Sequence, residues 1–420
     1  MTLSYYFESW NTCVYRISEI KKLLPSLWKK ERGYLPSQFS PHLKELYGVI
    51  GILNFVFSAL MLYEPIYLYT IGFTLWQIML FYAGVYAAYF FLMPFGGILA
   101  KRKGFEHSIM YSSVFLILYL VFLLNIPSYP AFTLLSILCL AIQKTFFWPG
   151  YHADFALFSQ SEERGRQIGI VAIVESVMAV AGPLVGAFIA AQFGFAALFT
   201  LLCIVILLSN IPFFLMKEQF TPTPFLYREP YRYLCEKQNR AYFWGYAGLG
   251  EELIVVTLWP IFLYLTFGAI LPTGLAVALS TLITIVVVLY IGKSTDSKDQ
   301  KLIIRIGALF ITLSWFLRLL ARGVPSVMVL DFFSRISKNI FAIPMVAGLY
   351  EYASHTSLIK NMIFFEMSLT VGKFCTALFL AAILYVFGPV WQVVFIVGGL
   401  LSLLFFLLGK KWHNGHQFDH

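Results

Sequence analysis

The sequence predicts an all-α membrane protein with twelve transmembrane helices, built as two similar units of six helices. Three observations support this prediction. Of the 420 residues, 60% are hydrophobic and only 12% are charged, which leaves too few polar side chains to cover a water-soluble globule. The apolar residues are gathered into runs of about 20, the length that crosses a bilayer as a helix. Landmarks in the first half of the chain recur 195 residues later.

The apolar runs divide into twelve predicted spans, numbered 1 to 12 in chain order, and charged residues interrupt spans 4, 10 and 11. The predicted ranges are 46–70, 75–100, 108–126, 131–158, 167–191, 196–216, 241–267, 270–291, 303–321, 326–350, 358–386 and 389–409. They group into two six-helix bundles, 46–217 and 241–409. A tail at 1–45, a linker at 218–240 and a tail at 410–420 are predicted to lie in the cytoplasm.

The recurrence has the same offset at three places. Pro65-Ile-Tyr-Leu-Tyr69 corresponds to Pro260-Ile-Phe-Leu-Tyr264, and 260 − 65 = 195. Pro149 corresponds to Pro344, and 344 − 149 is also 195. A charged turn that begins at Gly97 corresponds to another that begins at Gly292. Three landmarks with one offset predict a duplicated structural unit.

The distribution of Lys and Arg predicts the orientation. If the N-terminus is cytoplasmic, 24 of the 30 basic residues fall in cytoplasmic segments, and the outer loops hold Arg322 alone. Positively charged loops resist translocation, so both termini are predicted to be cytoplasmic. The expected location is the plasma membrane, or the inner membrane in a bacterium. The net charge of +9 is explained by this topology, and no nucleic-acid partner is expected.

Two short motifs resemble those of a known family. Gly97-Ile-Leu-Ala-Lys-Arg-Lys-Gly104 resembles the signature G-x-L-A-D-R-x-G-R-[KR] that the major facilitator superfamily carries between its second and third helices. Lys101 stands where the family usually has Asp, and Phe105-Glu106-His107 replace the usual basic residues. In span 5, the sequence from Gly182 to Ala187 is similar to the G-P-x-x-G-G stretch of drug/proton antiporters in that superfamily.

The resemblance covers residues 46–409 and implies two pseudo-symmetric bundles that rock about a site near the middle of the membrane. The basic turns would then form a gate. Its residues are predicted to be Gly97, Lys101, Arg102, Gly104, Gly292 and Asp296, with Asp154 as the acidic partner of the first turn. The alternative is that these turns only fix the topology.

Charges inside the spans are expensive in lipid, so they are expected to face a partner or a cavity. In the family that this chain resembles, helices 1, 4, 7 and 10 line the central cavity. The predicted solute-binding residues on spans 1, 4 and 10 are Glu64, Lys144, Asp331, Arg335 and Lys338. The alternative for span 10 is that Asp331 only neutralises Arg335, four residues away on the same helix face.

A carboxyl group in a weakly hydrated site can exchange a proton near neutral pH. The predicted proton-coupling residues are Glu175, Glu251, Glu252 and Glu366. Glu251 and Glu252 are about 100° apart around a helix, so one of them is expected to face the cavity. The alternative for Glu175 is a buried pair with Lys144. Glu366 and Lys373 are two turns apart, so each is expected to have another partner.

The sequence therefore predicts a secondary transporter that moves a small organic solute by alternating access, coupled to protons. We expect a monomer in the lipid bilayer. No nucleotide-binding loop is visible, and no cofactor or metal ion is expected. Two other classes stay open at this point: a multipass membrane enzyme that acts on lipid-linked substrates, and a non-transporting sensor or scaffold with the same fold.

Overall fold

The structure is a computed structural model, and it describes residues 41–158, 164–211, 226–292, 300–354 and 358–408. Within these ranges the regular structure is entirely helical, and a helix lies at each of the twelve predicted spans. Spans 1 to 4 are the helices Pro41–Thr70, Leu75–Lys103, Phe105–Asn125 and Phe132–Phe158. Spans 5 and 6 share Arg164–Ser209. Spans 8 to 12 are the helices Ile270–Gly292, Gln300–Leu317, Gly323–Ser354, Leu358–Phe387 and Trp391–Ser402, and short 3-10 turns extend spans 9 and 12.

Length and hydropathy identify most of these helices as membrane-crossing segments. Eight helical stretches of the described chain are long and apolar enough to cross a bilayer on those criteria alone. One of the eight, Val174–Ser209, contains spans 5 and 6, which separate at the non-helical Gly194. Spans 8 and 12 contain shorter apolar helical stretches, Ile270–Ile285 and Trp391–Leu407. Span 10 carries several charges along its 32 residues. The chain is a multi-pass membrane protein.

Span 7 is broken into three helical segments, Arg240–Ala247, Gly250–Val256 and Leu258–Phe267. The second break is at Thr257, whose backbone angles (φ −122°, ψ −68°) are not helical. It lies three residues before Pro260, which has no N–H to continue the helical hydrogen bonds. The middle segment carries Glu251 and Glu252.

The packing of the helices repeats in the two halves of the chain. Span 1 packs on span 5, span 2 on span 4 and span 3 on span 4; in the second half span 7 packs on 11, span 8 on 10 and span 9 on 10. The left-handed glycines that end helices repeat as well. Gly72 (φ 102°) and Gly268 (φ 74°) follow spans 1 and 7, while Gly194 (φ 81°) and Gly388 (φ 75°) follow spans 5 and 11. The predicted pseudo-symmetric arrangement is confirmed.

The two halves meet along spans 2 and 11 and along spans 5 and 8. The second contact is close because Gly274 has no side chain. A Cβ atom at Gly274 would lie 2.2 Å from the hydroxyl of Tyr63 and 2.8 Å from the carbonyl of Pro183. Tyr63 donates a hydrogen bond to that same carbonyl. A larger residue at position 274 would therefore collide with spans 1 and 5, and glycine lets span 8 pack closely there.

The predicted gate residues occupy the ends of spans 2, 4 and 8. Lys101 and Arg102 are in the last turn of span 2. Gly104 (φ 99°) is the single residue that separates the helices of spans 2 and 3. Gly97 is buried about one turn before Lys101 in span 2. Gly292 is the last residue of span 8. Asp296 and the side chain of Asp154 lie outside the described residues. The gate, like the exact limits of the two bundles, stays a prediction.

Candidate functional site

Charged residues from both halves lie near the middle of their helices. The midpoints of spans 4, 7, 10 and 11 are residues 145, 253–254, 338–339 and 372–373. Lys144, Glu252, Lys338 and Lys373 are each within two residues of these midpoints, which is about 3 Å along a helix axis.

Two lysines of the second half share two glutamates of span 7. Lys373 Nζ lies 2.9 Å from Glu252 Oε2, and Lys338 Nζ lies 3.9 Å from the other oxygen of Glu252. Lys338 Nζ also binds Glu251 Oε1. Both glutamates therefore contact Lys338, but their surroundings differ. The side chain of Glu251 is 1% exposed and that of Glu252 is 35% exposed, so Glu252 is the one that reaches accessible space.

Arg335 is bound by its own helix. Its Nε donates to Asp331 Oδ2 at 2.7 Å, across one turn of span 10. The second oxygen of Asp331 accepts a hydrogen bond of 2.8 Å from the indole of Trp259. Asp331 is buried, whereas the side chain of Arg335 is 32% exposed. The geometry matches the alternative in which Asp331 neutralises Arg335, while the guanidinium keeps accessible surface.

Lys144 in span 4 differs from these cations. Among the residues that the structure describes, no carboxylate lies within 4.0 Å of its ammonium group. The ammonium lies 6.0 Å from the centre of the Tyr86 ring in span 2. Lys373 Nζ lies 5.6 Å from the centre of the same ring. Tyr86 thus brings the first-half lysine and a second-half lysine to one place, where the halves meet.

Glu64 lies closer to the end of span 1 and apart from these ion pairs. It is buried, and its Oε1 accepts a hydrogen bond of 2.7 Å from Tyr82. Glu175 in span 5 accepts hydrogen bonds from Asn54 at 3.2 Å and from Tyr151 at 3.0 Å. Lys144 is not among the bonding partners of Glu175, so the pair considered from the sequence does not form. These two carboxyls have neutral partners.

Glu366 links the two halves on the side predicted to be cytoplasmic. Its Oε2 accepts a hydrogen bond of 2.9 Å from Tyr89 in span 2, and its Oε1 lies 3.2 Å from His152 Nε2 in span 4. The other ring nitrogen of His152 lies 2.7 Å from the hydroxyl of Tyr350 in span 10. Four spans are joined through one buried carboxyl. The expectation that Glu366 and Lys373 have separate partners agrees with this geometry.

Sequence reasoning missed two residues that the structure places in these networks. One is His152, which in the sequence is only a histidine among aromatic residues. The other is Arg318, a buried arginine at the end of span 9. Its charge inside an apolar run was the one available signal. No group of three metal-ligating side chains occurs within the described ranges.

Comparisons with known proteins agree with this architecture. Residues 46–246 match the sequence profile of the Major Facilitator Superfamily. A mutant of the nucleoside transporter NupG has a similar structure, with 16% sequence identity, a TM-score of 0.64 and coverage of 88% of this chain and 100% of that one. The human organic anion transporter MFSD10 (TETRAN) is similar at 14% identity and the same TM-score and coverage.

No curated protein sequence matches the chain. The sequence match covers spans 1 to 6 and the start of span 7, and the structural matches extend over both halves. With the repeated helix packing, they establish the fold of the whole chain. Residues 46–246 thus match the major facilitator superfamily, and the whole chain has the fold of these two solved transporters.

Proposed function

We propose that this protein is a proton-coupled secondary transporter that moves a small organic anion across the membrane by alternating access. The observation that carries the proposal is Lys144. Its ammonium group lies near the middle of span 4, where the halves meet, and no carboxylate of the described residues lies within 4.0 Å of it. A charge held inside a membrane without a counter-ion costs at least a few kcal/mol. A solute that brings a carboxylate or another anionic group would remove that cost.

The charge balance of the site supports an anionic solute. Within 4.0 Å, Lys338 and Lys373 pair with Glu251 and Glu252, whereas Lys144 has no carboxylate at that distance among the described residues. The side chain of Lys338 is 27% exposed, so it remains accessible next to its partners. A solute that also carries a positive group would fit, because Glu252 offers a partly exposed carboxylate. The site thus favours anions and zwitterions over lipophilic cations.

The position of the site suits alternating access. Lys144 belongs to the first half, and Lys338 and Lys373 belong to the second. An anion between them would attract both halves and favour a closed arrangement. On the side predicted to be cytoplasmic, the contacts of Glu366 with Tyr89 and His152 join the halves in the described conformation. Release toward that side requires these contacts to break.

Glu252 is the best candidate for proton coupling among the four predicted glutamates. Glu251 is buried against Lys338. Glu175 and Glu366 accept hydrogen bonds from tyrosines and, within the described ranges, form no salt bridge with a lysine. Glu252 is accessible and shares two lysines that an incoming anion would also bind. When the anion takes Lys373, Glu252 loses its counter-ion and takes up a proton. One proton then moves with each solute molecule.

The two similar solved structures are those of a nucleoside transporter and an organic anion transporter. Lys144 favours the second class for this chain. The proposed setting is a monomer in the plasma membrane, or in the inner membrane of a bacterium, with both termini in the cytoplasm. The bundles are proposed to span 46–217 and 241–409.

Uptake into liposomes that contain the purified protein tests the proposal. The probes are a panel of radiolabelled mono- and dicarboxylates, with uridine as the uncharged comparator. We expect saturable carboxylate uptake that an inward proton gradient stimulates and a protonophore abolishes. Uptake of uridine without any carboxylate would contradict an anion site. Carboxylate uptake that is indifferent to the gradient would refute the proton coupling alone.

A further inference from the structure

Arg318 lies between two tryptophans, one in span 7 and one in span 9. Its guanidinium carbon is 4.1 Å from the ring centre of Trp259 in span 7 and 3.9 Å from that of Trp315 in span 9. Arg318 is 1% exposed. Stacking of a guanidinium on an indole is a favourable cation–π contact, and here one guanidinium holds two indoles at once.

Each of the two indoles binds a different carboxylate of the site. Trp259 Nε1 donates to Asp331 Oδ1 at 2.8 Å, and Trp315 Nε1 donates to Glu251 Oε2 at 3.0 Å. Asp331 in turn binds Arg335, and Glu251 binds Lys338. Two arms therefore run from Arg318, each through one indole and one carboxylate, to the two cations of span 10.

Stability alone does not account for this arginine. Its Nη2 donates to Ser334 at 2.8 Å, but its Nε and Nη1 have no hydrogen-bond partner in the part of the chain described. Buried N–H groups without acceptors are destabilising, and a buried charge is often replaced by an apolar side chain at no loss of stability. Two indoles and the nearby carboxylates of Asp331 and Glu251 favour the charge at this position, and all four groups belong to the arms that lead to span 10.

We propose that Arg318 is a positioning residue for the solute site. By stacking on both faces it fixes the orientation of Trp259 and Trp315. Their N–H groups then fix Asp331 and Glu251, which set the places of Arg335 and Lys338. The inference rests on the proposed function in one respect: it takes the cations of span 10 to belong to the site that binds the anion.

The test compares Arg318→Met with Arg318→Lys, Trp259→Phe and Trp315→Phe. Arg322→Met is the matched control, since Arg322 is exposed in the loop four residues later. We expect Arg318→Met to raise the KM for carboxylate uptake about tenfold and to change kcat less than twofold, because mispositioned cations weaken binding. Adding Trp315→Phe to Arg318→Met should have little further effect, since the arm through Trp315 already depends on Arg318.

Near-ultraviolet circular dichroism reports the order of the indoles without any transport. Arg318→Met should reduce the tryptophan signal, and Arg322→Met should not. An unchanged KM together with a lowered Tm in Arg318→Met would overturn the inference and leave a structural role. If Arg318→Met does not fold, Arg318→Lys and the two tryptophan variants supply the same comparison. Failure of every protein, including the wild type, to take up carboxylates would refute the proposed function instead.

A separate observation concerns the short helix Glu229–Cys235 that precedes span 7. Pro94 in span 2 has no N–H, so the carbonyl of Phe90 lacks its usual helical donor. The hydroxyl of Tyr231 lies 3.5 Å from that carbonyl, and Tyr227 donates to the carbonyl of Phe91 at 2.9 Å. This segment thus binds the backbone of the first half at its proline bend.

The same helix binds span 11 in the second half. Glu229 Oε1 lies 3.4 Å from Lys360 Nζ, and Lys360 Nζ lies 4.5 Å from the ring centre of Tyr233. The hydroxyl of Tyr233 donates to Asn361 at 3.3 Å. The geometry points to a strap that ties spans 2 and 11 together on one side and must loosen when the halves part there.

Limited trypsin digestion tests the strap, because cleavage after Arg228, Arg232 and Lys237 requires this segment to detach. The variant Tyr227→Phe/Tyr231→Phe keeps both rings and removes both hydroxyls, and Tyr129→Phe in an exposed turn is the control. We expect cleavage at these three sites, identified by mass spectrometry, to be about fivefold faster in the double variant only. Equal rates in all three proteins would overturn the inference.

Discussion

The two halves of the protein share one scaffold but hold their buried charges differently. In the second half, three cations are matched with carboxylates: Lys338 with Glu251, Lys373 with Glu252 and Arg335 with Asp331. In the first half, the nearest partners of the charged groups are neutral, Tyr82 for Glu64 and Tyr86 for Lys144, and Glu64 and Lys144 interact with each other only at longer range. The helix packing is duplicated and the charges are not.

This difference predicts which charged residues stabilise the fold and which ones await the charge of a bound solute. Breaking a buried ion pair leaves an uncompensated charge and is strongly destabilising. Removing a cation that has no close counter-ion should instead raise the stability, because the cost of burying its charge is relieved. Charges of the second half should therefore matter for folding as well as for binding, whereas Lys144 should matter for binding alone. The following variants separate these two effects, in decreasing order of the expected effect.

Lys144→Gln is expected to have the largest effect on transport. Loss of a charged partner in a desolvated site costs about 2–5 kcal/mol, which corresponds to at least about a 30-fold loss of affinity for the solute. The Tm should stay the same or rise. Uptake assays and thermal unfolding measure the two quantities, with Lys103→Gln at the exposed end of span 2 as the control. Undiminished uptake, or a clear fall in Tm, would break the comparison.

Lys373→Gln should lower stability by about 2 kcal/mol, at the lower end for a broken pair because Glu252 is partly exposed. The double variant Lys373→Gln/Glu252→Gln should recover more than half of that loss, since no unpaired charge remains. Chemical or thermal unfolding in detergent measures both. If the double variant is as unstable as the sum of the two single variants, the pair is not the source of the effect.

Tyr82→Phe and Tyr89→Phe each remove one hydroxyl that donates to a buried carboxyl. The hydrogen bond from Tyr82 to Glu64 lies within the first half, whereas that from Tyr89 to Glu366 crosses between the halves. Each should cost about 1 kcal/mol. Only Tyr89→Phe should also change the rate of exchange between the two facing states. Equal transport rates in both variants would show that the contact between Tyr89 and Glu366 does not limit the exchange between the two facing states.

Gly194→Ala and Gly388→Ala are expected to have the smallest effect, and an equal one. Both glycines have positive φ at equivalent turns, after spans 5 and 11, and a side chain there costs about 1 kcal/mol. Neither should alter uptake once the loss of stability is allowed for. A much larger effect at one of the two positions, measured by thermal unfolding, would limit the symmetry of the scaffold.

The scaffold was accessible from the sequence because its signals are local or periodic. Apolar runs of the right length predicted a helix at each of the twelve spans. The differences are shifted ends, such as the start of span 1 at Pro41 instead of residue 46, and the interior breaks of span 7. The offset of 195 predicted the duplicated packing. Gly194, between two predicted spans, is where the structure breaks its longest helix.

The partners of the charges were accessible only when they lie on one helix. Asp331 and Arg335 are four residues apart, so their pairing could be weighed from spacing alone. Lys338 and Glu251 are 87 residues apart, and His152 and Glu366 are 214 apart. No local pattern connects such pairs, since helix rotation and tilt decide which side chains meet. The same reason explains why the partners of Glu175 could not be chosen in advance.

A structure determined with a transported carboxylate bound tests the central claim most directly. The account predicts that an anionic oxygen of the solute lies about 3 Å from Lys144 Nζ, a charge-assisted hydrogen bond between the two halves. A bound solute with no contact to Lys144, or a Lys144 that pairs with a carboxylate of the protein in that complex, would contradict it.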